Sequence, residues 1–118
     1  MAKEMDPDHP IIDKPWEYDI VELRYHVDPE DWRGAFIDLH LKKGNVLRRL
    51  RFIAPQNLQI GQGFPQPTRG LCILDVRHRQ LDSIGVEVAD FEASDGVVTF
   101  LAWKVVDLDS EVLENEAL

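Results

Sequence analysis

Val97-Val98-Thr99-Phe100-Leu101-Ala102-Trp103-Lys104-Val105-Val106 decides the fold. Val97, Thr99, Leu101, Trp103 and Val105 alternate with Val98, Phe100, Ala102, Lys104 and Val106. The stretch is rich in β-branched and aromatic side chains and has no 3.6-residue period, so it reads as a strand. The first set, with Trp103 in mid-strand, is expected to face the core.

Five further stretches behave in the same way. In Tyr18–Val27, Val21, Leu23, Tyr25 and Val27 oppose Glu22, Arg24 and His26. In Ala35–Lys42, Ala35, Ile37, Leu39 and Leu41 oppose Phe36, Asp38, His40 and Lys42. Val46–Ile53 is interrupted by Arg48, Arg49 and Arg51, which suits a strand near a sheet edge. Leu71–Val76 is apolar on both faces apart from Asp75, the pattern of a central, fully buried strand. Ile84–Phe91 is the fifth.

Gly44-Asn45 and Asp95-Gly96 supply hairpin turns. The connection over residues 54–70 carries Pro55, Pro65 and Pro67.

 Its glycines are three, Gly61, Gly63 and Gly70. A connection that long is expected to be functional or mobile, to cross between sheets, and to hold a short strand around Leu58–Ile60.

The fold class that follows is all-β: an antiparallel β-sandwich or curved barrel of six to seven strands. At 118 residues and 44% hydrophobic, the chain makes one domain with a core of its own. Its expected layout is an irregular, mobile acidic arm over 1–15 whose Ile11 and Ile12 can tuck onto the body, a β domain over 16–106 and an acidic tail over 107–118 with a short helix.

Charge is uneven. Lys3 against Glu4, Asp6, Asp8 and Asp13 leaves −3 at the N-terminus, and Asp107, Asp109, Glu111, Glu114 and Glu116 give −5 at the C-terminus. Of the net −9, the body therefore carries only −1. Acidic ends repel phosphate backbones and anionic membranes, so neither nucleic acid nor membrane is an expected partner. No run approaches the roughly 20 apolar residues of a membrane span. Residues 1–13 lack the pattern of a secretory signal, and the single Cys72 suits a reducing compartment, so the expected location is cytoplasmic. Cys72 itself reads as buried and inert.

Four clusters carry possible chemistry. If the first two strands pair, Glu22, His26, Asp38 and His40 share a sheet face, and two imidazoles with two carboxylates are a donor set for zinc. A solvated face explains the same spacing without a metal. Arg77-His78-Arg79 offers an anion site, or an ion pair closing onto Asp75. Lys42, Lys43, Arg48, Arg49 and Arg51 form a basic region, read as edge protection or as a dock for acidic partners or the chain's own tail. Trp16 and Trp32, with Gln62-Gly63-Phe64, offer an aromatic platform for a ligand.

No phosphate loop or nucleophile elbow is present, and no cofactor is expected. The leading functional reading is a protein-interaction module without catalysis, an inhibitor- or immunity-type binder of a basic partner, with homodimerisation as a further expectation. A carbohydrate- or small-ligand-binding sandwich is the alternative, and a metal-dependent enzyme using His26 and His40 is the third.

Overall fold

The computed structural model describes residues 6–62, 70–90 and 98–109. It is a sandwich of two four-stranded antiparallel sheets. In chain order the strands are β1 (Asp19–His26), β2 (Phe36–Lys43), β3 (Val46–Ile53), β4 (Gln56–Ile60), β5 (Leu71–Asp75), β6 (Val86–Asp90), β7 (Val98–Ala102) and β8 (Lys104–Asp107). The first sheet runs β1-β2-β3-β8 and the second β4-β7-β6-β5. Among the described residues no helix is long and apolar enough to cross a membrane.

Two long extended stretches serve both sheets. β3 leaves the first sheet at Ala54-Pro55 and continues as β4 in the second; β7 leaves the second at Trp103 and continues as β8 in the first. The two corners meet, since Trp103 N–H donates to the Ile53 carbonyl at 2.9 Å. A strand that changes sheets at a bend is how sandwiches build a closed side.

The core is the set of inward faces. Ile37, Leu39 and Leu41 of β2 pack with Leu50 and Phe52 of β3, Ile73 of β5, Val88 of β6 and Phe100 of β7. Phe52 and Phe100 join the sheets edge to face, with centroids 5.0 Å apart at 88°. Cys72, Leu74, Val76 and Ala89 form a second, smaller buried cluster.

Five strand-level expectations change. In β1, the pairing shifts between Ile20 and Glu22. This bulge turns Ile20 into the core and leaves Val21 53% exposed. β3 is not at an edge: it lies between β2 and β8, so its arginines are not edge protection. β5 is buried but not central, because it ends the second sheet. In β7 the inward face is Val98, Phe100 and Ala102, the reverse of the expected set. Trp103 sits at the corner rather than in mid-strand and is 51% exposed.

The arm is also tied down where it is described. Ile12 is buried in the main core, and Arg48 donates to the Ile11 carbonyl at 3.1 Å. The helix expected over 107–118 falls mostly outside the described residues, as does the Asp95-Gly96 turn.

Candidate functional site

The connections β1–β2, β3–β4, β5–β6 and β7–β8 gather at one end of the sandwich, and local chemistry holds each in place. Before β2, Asp28 accepts from the backbone N–H groups of Glu30 at 3.0 Å and Asp31 at 3.3 Å. Asp31 then caps the 3-10 turn Trp32–Gly34 by accepting from Arg33 N–H at 3.0 Å. Gly34 packs against the Asp28 side chain: a Cβ there would lie 2.4 Å from the carboxylate, which would have to shift. The result presents the Trp32 ring to solvent, 49% exposed.

The other segments are stitched to it. Ala54 N–H donates to Ala35 O at 2.9 Å, Gly85 N–H to Ala102 O at 2.9 Å and Val76 N–H to Gly85 O at 3.0 Å. Gly85 packs so closely that a Cβ there would meet the Trp103 carbonyl at 2.6 Å. Ala54 and Ser83 both hold left-handed backbone, at φ 54° and 60°. Such conformations cost of order 1–3 kcal/mol in non-glycine residues and cluster at binding sites.

These four segments enclose a cleft of about 430 Å³ lined by Trp32, Arg33, Ala54, Asp82, Ser83 and Trp103. A second cleft of about 300 Å³ adjoins it, sharing Ser83 and Trp103 and adding Leu81, Ile84 and Lys104. The Lys104 ammonium lies 4.5 Å from the centroid of the Trp103 ring, and Leu81 is exposed beside it. Two half-exposed indoles with charged groups at the rim suit an apolar or planar ligand group held between polar lips.

The other sequence candidates are distributed differently. Trp16 lies in the turn Pro15–Glu17 at the opposite end, where its carbonyl accepts from Gly70 N–H at 3.3 Å. Gln62 is an exposed turn residue also at that end, and Phe64 lies outside the described residues. Trp32 and Trp16 therefore do not form one platform. Trp103, assigned to the core by its alternation, is the residue that joins Trp32.

β1 and β2 do pair, and Glu22, His26, Asp38 and His40 share the outer face of the first sheet. Glu22 and His40 stand 3.3 Å apart. Asp38 is held by Arg51 through two bonds of 2.8 and 3.0 Å. His26 stacks on Phe36 at 4.8 Å, with the Arg51 guanidinium 3.9 Å from the centroid of the Phe36 ring. Among the described residues, no group of three or more His, Cys, Asp or Glu side chains is placed to hold a metal.

Arg77, His78 and Arg79 are engaged within the chain. Arg77 binds Asp75 through Nε at 3.0 Å and Nη2 at 2.6 Å. These bonds hold the Asp75 carboxyl at about 2 despite the opposing cost of burial. His78 Nε2 lies 2.8 Å from Asp6, which also pairs with Arg79. Arg79 reaches Glu87 at 3.2 Å as well.

The basic region is similarly occupied. Lys43 pairs with Glu17 at 3.0 Å, Arg48 with Asp107 at 2.6 Å and Arg49 with Asp109 at 2.6 Å. The start of the acidic tail thus docks on the chain's own arginines. The chain matches no family model, no curated protein and no solved structure.

Proposed function

We propose that the chain is a non-catalytic binding domain that captures a partner protein at the loop end, with an apolar side chain of the partner seated between Trp32 and Trp103. The observation that carries this reading is the pair of half-exposed indoles on one cleft of about 430 Å³. Exposed tryptophans on a well-stitched backbone bind with little loss of conformational freedom, which is why they dominate binding energy at interfaces. The carboxylates Asp6, Asp107 and Asp109 each have a cationic partner within the chain. These three carboxylates are therefore engaged within the chain, and the reading rests on the cleft.

The test is to select peptides from a displayed random library on the immobilised protein, then measure their binding to Trp32→Ala, Trp103→Ala and Trp16→Ala. Peptides with an apolar anchor that lose at least tenfold in affinity on the first two variants, and keep it on Trp16→Ala, support the reading. Selected peptides that bind all three variants equally would sink it.

A carbohydrate ligand is the second reading, favoured by the same two rings, since a sugar face stacks on exposed indole. Quenching of tryptophan fluorescence by a glycan, lost in Trp103→Ala, would place sugar ahead of peptide.

A further inference from the structure

β5 ends the second sheet, and the chain's own N-terminal segment occupies the open side. Asp8 bridges Leu74 in antiparallel sense. His9 N–H donates to Ile73 O at 2.8 Å, and Asp75 N–H donates to Pro7 O at 2.9 Å. These bonds flank the Asp8–Leu74 pair, so it is a non-hydrogen-bonded pair with closely approaching Cα atoms.

Side chains anchor the segment at both ends. Asp6 is only 8% exposed and bonds to His78 and Arg79. Ile12 fills a place in the core. All these anchors join the segment to the body, and a second copy's segment would find the same groups.

The connection back to the body is strained. Lys14 holds φ 51° and ψ 58° immediately before Pro15. A left-handed lysine is unfavourable, and a following proline restricts it further. Extending the connection relieves that strain without removing any anchor, the condition under which chains exchange identical elements.

We propose that the β5 edge is a strand-addition site for residues 6–12 of a second copy, so that the protein forms an arm-exchanged two-fold dimer. Asp6 of each chain then completes the His78–Arg79 site of the other. This inference is independent of the loop-end cleft and of what binds there.

The test places Asp8→Cys and Leu74→Cys in a Cys72→Ala background, because a non-hydrogen-bonded pair has the spacing a disulfide needs. The protein is refolded at low and at high concentration, oxidised, and run without reductant. Exchange gives a linked dimer of twice the 13.6 kDa chain mass from the concentrated sample and an internally linked monomer from the dilute one. Internally linked monomer alone at both concentrations overturns the proposal.

Light scattering on the unmodified sequence gives a second readout that needs no cysteine pair. Lys14→Gly relieves the strain in the closed form and should lower the dimer-to-monomer ratio about fivefold. A ratio that does not fall, or a dimer that survives deletion of residues 1–9, also overturns it.

Discussion

Phe100 and Trp103 lie three residues apart in the stretch that decides the fold, and the structure gives them opposite fates. Phe100 is 2% exposed and meets Phe52 edge to face, whereas Trp103 is 51% exposed at a strand corner. Replacing Phe100 by Ala removes a full ring and leaves a cavity between the sheets, which costs about 3–5 kcal/mol. Against a total stability of about 5–15 kcal/mol, that is a large fraction. For Trp103→Ala, only half of a surface of roughly 200 Å² is lost from packing, giving an upper figure of about 2.5 kcal/mol at 25 cal/mol per Å². Denatured-state compactness, a reduction of roughly 10–40%, brings this to about 1.5–2.3 kcal/mol. Urea unfolding followed by circular dichroism measures both, with the slope of the transition checked for constancy. A Trp103→Ala cost equal to that of Phe100→Ala would refute the placement of Trp103 at the surface and, with it, the cleft.

Asp38→Asn should cost about 1.5–3 kcal/mol, because it leaves Arg51 with a neutral partner on a largely buried carboxylate site; a urea midpoint unchanged from the parent would refute the assigned pair. On the acid side, the Asp75 carboxyl sits at about 2 in the folded chain, below its ordinary range, so its contribution is fully present above about pH 4 and is lost as pH falls through about 2. Stability measured from pH 5 to 2 should fall less steeply for Asp75→Asn than for the parent, and parallel curves would show that the Arg77 bonds do not form.

Much of the architecture is legible in the chain because β-strand burial has period two. β2 is the plain case: Ile37, Leu39 and Leu41 alternate in sequence and are all buried. Departures arise where geometry breaks the period without a change in composition. The bulge at Val21 shifts every residue before it by one face, yet Ile20-Val21 offers no glycine or proline to mark it. The bend at Trp103 separates Val105, which is buried, from Leu101, which is not, although both belong to one set of an uninterrupted alternation in sequence. Arg48, Arg49 and Arg51 suggest an edge because their acidic partners, Asp107, Asp109 and Asp38, are distant in sequence. The cleft was half legible: Trp32 stood out in a loop, but Trp103 was hidden in the best strand of the chain.

Those distant partners leave the net charge of −9 as it is but neutralise part of it locally. Long-range attraction of a basic partner requires carboxylates whose field reaches solvent unopposed. Asp107 and Asp109 lie within 2.6 Å of arginine nitrogens, and Asp6 is buried between His78 and Arg79. At that range each pair presents little net charge a Debye length away. Asp6, Asp107 and Asp109 thus fasten the described parts of the two ends to the body. At the loop end the balance differs: Arg33 is paired with Asp31 and Arg77 with Asp75, while Lys104 stacks on an exposed indole. Shape and aromatic surface, with Lys104 and Asp82 at the rim, are therefore the features by which this end would select a partner.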